Sequence, residues 1–384
     1  MSSMRQLRGR TAIAGLGYAG LGSSPGWSPI ELAALACERA LDDSGLTLED
    51  VDGLCAGTFY HFLPTLSVAE HLGIRPKWSN SEMVGGSSFM SHVMQAALAI
   101  DAGLCEVVLI AYGSNARSSR DIYGRIDLTP LQAAYEPLLP VGAYAMSAAR
   151  HMHQFGTTRE HLAEVAVAAR RWAQLNPDAT MRDPLSIADV LASPMVCDPL
   201  TRLDCCLVSD GGGALVMTSA ERARDLRQPP VLVLGTGTAH WHRDIAEMED
   251  LTITAAIDSG ARAYDMAGVR PDQITIVQLY DAFTILPILF LEDLGFCPKG
   301  EGGRFVADGA IAPGGKLAVN TGGGGLSFVH PGMFGLFALI EAAIQLRGHG
   351  GARQVRNADL AIAHGNGGYF SHEATTILGT AATA

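Results

Sequence analysis

Arg39-Ala40-Leu41-Asp42-Asp43-Ser44-Gly45-Leu46, followed by Val51, returns as Arg262-Ala263-Tyr264-Asp265-Met266-Ala267-Gly268-Val269, followed by Ile274, at a constant offset of 223. Each copy reads as the end of a helix stopped by a left-handed glycine and followed by a strand. Two similar halves are therefore expected, 1–228 and 229–384, meeting near Arg227-Gln228-Pro229-Pro230, where a polar run meets two prolines. Around the echo, short runs rich in Val, Ile and Leu alternate with helical patterns, as in a layered α/β protein. Expected strands are 11–15, 51–57, 106–112, 213–218, 231–236, 274–279, 316–319, 360–363 and 374–378. Expected helices include 29–44, 89–102 and 332–346, the last two apolar on nearly all sides and so placed between sheets. The stretch 117–203 has no counterpart in the second half and reads as an inserted loop and lid region, helical over 143–175.

Composition narrows the functional classes. The 384 residues are 48% hydrophobic and 17% charged with a net charge of -12, which suits a compact chain with a large core. No long Lys/Arg run exists, so nucleic acid is not an expected partner. No apolar stretch reaches the length of a bilayer span, and the glycines after Arg10 interrupt any signal-like segment, so a cytoplasmic protein is expected. Seven scattered Cys without paired spacing argue against disulfides and zinc. The HxH pairs at His151/His153 and His240/His242 do not make a metal site.

Three loops combine glycine with functional side chains: Val84-Gly85-Gly86-Ser87-Ser88, Asn320-Thr321-Gly322-Gly323-Gly324-Gly325, and His364-Gly365-Asn366-Gly367-Gly368. Glycine lets backbone amides approach a ligand, and helix starts nearby can hold a developing oxyanion. Gly15, Gly17 and Gly20 have dinucleotide-fingerprint spacing, but they do not open a helix and no acidic residue ends a second strand. His330, in Phe328-Val329-His330-Pro331-Gly332, is placed to polarise a carbonyl. Tyr280 and Asp281 end a strand and are candidate hydrogen-bonding or acid/base groups, with Asp281 alternatively the N-cap of a helix near Ala282.

Several strings together resemble the thiolase superfamily, specifically sterol-carrier-protein-type thiolases and lipid-transfer-protein aldolases. They are Leu203-Asp204-Cys205-Cys206 leading to Ser209-Asp210-Gly211-Gly212-Gly213, Leu279-Tyr280-Asp281-Ala282-Phe283, Glu292-Asp293-Leu294-Gly295-Phe296-Cys297, and Asn320 to Gly325 with His330-Pro331-Gly332. The resemblance implies a five-layer αβαβα fold built from two βαβαβαββ halves, and a homodimer. It also implies a CoA thioester as substrate with no bound cofactor. In such families an acyl-accepting cysteine occupies the position matched by Gly85, and a second cysteine the position matched by His364; His330 keeps the family identity. A thioester acyl-enzyme is thereby lost at Gly85, whereas enolate chemistry remains open.

Relatives of that kind are retro-aldolases that cleave a 3-hydroxyacyl-CoA and work with a small OB-fold, zinc-ribbon partner. The residues assigned by this reading are His330, Tyr280 and His364 as catalytic groups, with Gly85, Gly86, Ser87, Asp281, Asn320 and Gly367 in the oxyanion-binding loops. His330 and a Gly365–Gly368 amide would face the enolate oxygen, and Tyr280 or His364 the hydroxyl. Phe328 stands where the aldolases carry a tyrosine. The alternatives are an acyltransferase using Ser87 or Ser88 with His330 or His364 as base, and a non-catalytic acyl-CoA-binding subunit. A Schiff base at Lys77, Lys299 or Lys316 is disfavoured, since none lies in an apolar strand core. Arg170, Arg171 and Arg182 are expected to be solvated rather than bound to CoA phosphates.

Overall fold

The computed structural model describes residues 4–120, 134, 135 and 138–384. Strand β1 (Thr11–Gly22) leads into helix α1 (Pro29–Ser44). Ser28 and Glu31 form a reciprocal cap at the start of α1, Pro29 presets its first turn, and Gly45 ends it at φ 79°. Next come β2 (Gly53–Ala56), α2 (Pro64–Leu72), β3 (Trp78–Asn80), α3 (Ser88–Asp101) and β4 (Val107–Ser114). Helices α4 (Val141–Phe155) and α5 (Arg159–Gln174) and a small hairpin, β5 (Met195–Cys197) with β6 (Leu200–Thr201), precede β7 (Asp210–Ser219). The second half runs β8 (Val231–His240), α6 (Ala256–Ala267), β9 (Ile276–Leu279) and α7 (Ile285–Asp293). It closes with β10 (Ala318–Val319), α8 (Gly335–Leu346), β11 (Leu360–Gly367) and β12 (His372–Gly379).

The ten longer-range strands line up as β10-β9-β11-β12-β8-β1-β7-β4-β2-β3. Read outward from the middle, each side repeats one plan: two antiparallel pairings, then two parallel ones. The sides meet through the pairings Ala12↔Leu232 and Ile13↔Val231. Helices α3 and α8 pack against each other and each touches strands of both sides, while α1 covers one outer face and α6 the other. This is the expected layering, with a hydrogen-bonded seam between the sheets that the sequence did not announce.

The echo has a packing origin. A Cβ at Gly15 or Gly17 would run into the backbone of Ala40 or Ala36 on α1, and one at Gly235 or Gly237 into Ala263 or Ser259 on α6. Both outer helices thus seat directly on strand glycines, which explains the fingerprint-like spacing without a nucleotide. Arg39 and Arg262 repeat as well, donating to the carbonyls of Tyr18 and Thr238. Gly268 ends α6 at φ 65°, as Gly45 ends α1.

Several boundaries move. The helix expected over 143–175 is two helices, broken at Gly156 (φ 75°) and restarted by the Thr158 cap. Helix α8 begins at Gly335 rather than 332, because Pro331 and Gly332 belong to the loop carrying His330. Strands β1, β7, β8, β11 and β12 all extend beyond their apolar cores through small and polar residues. Part of the lid region, 121–133 with 136 and 137, lies outside the described residues. Among the described residues, no helix is long and apolar enough to cross a membrane, and no group of three His, Cys, Asp or Glu could hold a metal. All seven cysteines are free thiols.

Candidate active site

The two glycine loops at the mouth of α3 and the end of β11 interlock. Gly85 has φ 81°, and a Cβ there would lie 2.8 Å from Gly367 Cα and 3.0 Å from Gly368 N. A side chain at Gly86 would enter the Tyr280 ring. At Gly365 a Cβ would meet Met90 Sδ at 2.7 Å and Ser87 Cα at 2.9 Å. The loops approach this closely because they carry no side chains, so a thiol cannot be added at Gly85 or Gly365 without moving backbone or Met90. Ser88 is occupied locally, accepting from Val84 N at 2.9 Å and donating to the Gly85 carbonyl at 2.7 Å.

Tyr280 leaves β9 with its N–H on the His364 carbonyl at 3.0 Å. Its hydroxyl lies 3.1 Å from His330 Nε2, and the Gly332 carbonyl accepts from it at 3.4 Å. His330 is 9% exposed and Tyr280 5%. Phe334 stacks on the imidazole at 6.4 Å, and Ser209 Oγ accepts the His330 N–H at 2.9 Å. Burial pulls the His330 pKa down to about 4 and pushes that of Tyr280 well up. At neutral pH the site therefore holds a neutral imidazole against a neutral phenol.

Asp281 does not cap α7, which begins four residues later at Ile285. Its carboxylate is fully buried and accepts the Gly325 N–H at 2.6 Å, holding the wide turn Gly324–Phe328 that leads to His330. Burial raises its pKa to about 7 against the lowering effect of those donors. Asn320, at φ 52°, accepts the Leu279 N–H at 2.7 Å and ties the same loop to β9. Both residues thus shape the His330 loop.

His364 belongs elsewhere. Side chains alternate along β11, so Gly365 and Gly367 face the α3 loop and His364 faces away. Its ring meets Phe290 at 4.4 Å and its Nδ1 pairs with Thr375 Oγ1 at 2.9 Å. Nε2 is 3.1 Å from Glu373 Oε2, but the angle is wrong for a hydrogen bond, and both Glu373 oxygens lack donors. Burial lowers the His364 pKa to about 3 and raises that of Glu373, with Asp293 adding to the latter. The residue at the inner position is Gly365, one place along.

Two contacts escaped sequence reading. Ser87 Oγ lies 2.8 Å from His372 Nδ1, so the histidine beside this serine is neither His330 nor His364. Arg170, expected to be solvated, is 4% exposed and donates to Ser327 Oγ at 3.0 Å and the Asp183 carbonyl at 3.0 Å, bracing the turn before His330. Lys299 is paired with Glu292 at 3.0 Å and Asp293 at 2.5 Å, Lys77 with Asp52 at 3.2 Å, and Lys316 sits over Phe305 at 4.8 Å. A cavity of about 490 Å³ beside the far end of α8, lined by Tyr18, Asp178, Ile344 and Arg353 among others, includes none of these site residues.

Residues 237–380 match the family model for a thiolase C-terminal domain-like unit. The steroid side-chain-cleaving aldolase of Thermomonospora curvata is 36% identical over 90% of this chain and 92% of its own. The chain belongs to the thiolase superfamily. Among thiolase-superfamily members it is also 33% identical, over 86% of its length and 88% of the relative's, to the acetyl-CoA acetyltransferase of Methanothermobacter thermautotrophicus. A solved structure, the Ltp2-ChsH2(DUF35) aldolase, superposes with a TM-score of 0.89 at 34% identity, covering 97% of this chain and 98% of its own. Within this superfamily the chain is thus a sterol-carrier-protein-thiolase and aldolase-like member.

Proposed function

We propose that the protein is an acyl-CoA lyase that cleaves a 3-hydroxyacyl-CoA by retro-aldol chemistry, without a covalent acyl-enzyme. The observation that carries this reading is the conjunction of a closed glycine at position 85 with an intact, buried Tyr280–His330 pair. The hydroxyl proton of the substrate passes to Tyr280 Oη as the Tyr280 proton passes to His330 Nε2. The carbon–carbon bond then breaks toward a carbonyl product, and its electrons form the enolate of the shorter acyl-CoA. A backbone amide of the Gly365–Gly368 loop holds the enolate oxygen. The similarity to the steroid side-chain-cleaving aldolase supports an acyl group of the lipid or steroid side-chain class.

The same reading places the protein in the cytoplasm as a homodimer with halves 1–228 and 229–384. A small OB-fold, zinc-ribbon protein is its second component, a reading encouraged by the two-part name of the aldolase structure. The CoA thioester is the substrate and no cofactor is needed. A second reading, acyl transfer through Ser87, is favoured by its contact with His372 and by the acetyltransferase relative.

The deciding experiment is mass-spectrometric product analysis with 3-hydroxyacyl- and 3-oxoacyl-CoA panels, with and without the zinc-ribbon protein. Acetyl-CoA or propionyl-CoA plus a carbonyl compound, formed from 3-hydroxy substrates without free CoA, is the expected result. Cleavage of 3-oxo substrates alone, dependent on free CoA, would make it a thiolase; silence in both would leave a binding subunit.

A further inference from the structure

Retro-aldol cleavage leaves one proton to supply: the enolate carbon must be protonated before product leaves. Ser87 is a second hydroxyl within the glycine loops. A Cβ at Gly367 would lie 2.5 Å from Ser87 Oγ, one at Gly365 would lie 2.9 Å from Ser87 Cα, and the neighbouring Gly86 faces the Tyr280 ring. Packing does not require a histidine beside it. The Val84 carbonyl already accepts from Ser87 Oγ at 3.2 Å, and Ser88 makes the local turn contacts. Yet His372 Nδ1 lies 2.8 Å from Ser87 Oγ, and its ring stacks at 6.0 Å and 19° on His240, which is exposed. Ser87 is fully buried and His372 is 6% exposed, so the contact connects the loop interior with the protein surface. Burial lowers the His372 pKa below its ordinary value, opposed by Glu82, whose Oε2 is buried without a hydrogen-bond partner, so His372 rests as a neutral imidazole.

We infer that Ser87, backed by His372, is the acid that protonates the enolate carbon, separate from the Tyr280–His330 pair that accepts the hydroxyl proton. This inference rests on the lyase reading. In the step, the enolate electron pair forms a C–H bond with the Ser87 hydroxyl proton as neutral His372 passes its Nδ1 proton to Oγ and takes a proton from water at Nε2. The thioester carbonyl is restored and His372 is left neutral. The hydroxide left by that water takes up the substrate's hydroxyl proton released from the Tyr280–His330 pair, and His372 returns to its Nδ1–H tautomer by exchange with water, so no proton is gained or lost overall. Ser87 is the catalytic residue of this step and His372 a positioning and relay residue.

The test is exchange of the α-protons of propionyl-CoA in D₂O, followed by mass spectrometry on the full-length protein, beside the cleavage assay. Wild type should exchange, and Ser87→Ala and His372→Gln should slow exchange by about 10²-fold or more, the scale of one acid/base group. His372→Asn, which keeps a donor near the Nδ1 position but cannot relay a proton, should be as slow. Its melting temperature should stay near wild type, separating proton transfer from folding. Wild-type exchange rates in Ser87→Ala or His372→Asn would overturn the inference and leave the lyase reading intact. Cleavage by a wild type that does not exchange would do the same, whereas a propionyl adduct on Ser87 would overturn the inference and the lyase reading together in favour of acyl transfer. Neither exchange nor cleavage in wild type would overturn both.

Discussion

Gly85→Cys would put a thiol at the position that the resemblance matches to an acyl-accepting cysteine, and the packing around Gly85 opposes it. A side chain at φ 81° costs about 1–2 kcal/mol for an L-residue in the left-handed region. Its Cβ would lie 2.8 Å from Gly367 Cα and 3.0 Å from Gly368 N, which are backbone atoms that no rotamer change can withdraw. Overpacking of that kind costs about 1–3 kcal/mol. Together the loss is about 2–5 kcal/mol, a large share of the roughly 5–15 kcal/mol of a typical fold. Urea denaturation of G85C beside G142A gives the measurement, since a Cβ at Gly142 meets nothing within 4 Å and should be neutral or slightly stabilising. Intact mass after incubation with acyl-CoA supplies the second readout, with no acyl adduct expected on G85C. A G85C protein as stable as wild type that accepts an acyl group would show that the loops are not closed, and would refute the reason given for abandoning covalent chemistry.

Tyr280→Phe keeps the ring over Gly86 but removes the hydroxyl that meets His330 at 3.1 Å. With 3-hydroxyacyl-CoA, kcat should fall about 10²- to 10⁴-fold with KM little changed. Leaving Nε2 unpaired should lower stability by only about 1–3 kcal/mol; a kcat within threefold of wild type would remove Tyr280 from the chemistry. Glu373→Gln tests the buried pair behind β11. Burial, then Asp293, holds the Glu373 carboxyl well above its ordinary range, whereas in the unfolded chain it ionises near about 4.3. Stability from the protonated group is therefore full below that pH and is lost as pH rises toward the folded pKa. Glutamine mimics the protonated form, so E373Q should melt at or above wild type at pH 8, with the difference shrinking toward pH 4; a clear loss at pH 8 would mean that Glu373 is ionised against a charged His364.

The fold was legible because its signals were local and repeated. Helix stops at Gly45 and Gly268 and the Ser28–Glu31 cap need no tertiary knowledge, and the apolar character of α3 and α8 gave away their central place. The site was legible only in part. His330 and Tyr280, both candidates from the sequence, lie 3.1 Å apart, yet nothing in the local sequence tells which of His364 and Gly365 faces inward, and a shift of one residue exchanges the faces of a strand. His372 was hidden by a strand boundary. Starting β12 at residue 374 left it in a turn, whereas the true register pairs it with Gly367, directly beside Ser87. Arg170 looked like a solvated helix charge because its acceptors, Ser327 and the Asp183 carbonyl, come from distant or irregular segments.

The seam between the sheets is narrow, two residue pairs on β1 and β8. Ser87 and Gly85 come from the first half, whereas Tyr280, His330, Gly367 and His372 come from the second, and they meet where α3 and α8 cross between the layers. The cleavage groups of the proposed mechanism come from the second half, and the first half supplies the glycine loop that closes on them and the Ser87 hydroxyl. On that reading turnover reports docking, because a shift of one half against the other moves the interlocked glycines. Substitutions on α3 or α8 far from any substrate should behave as activity mutants while leaving each half's secondary structure in place.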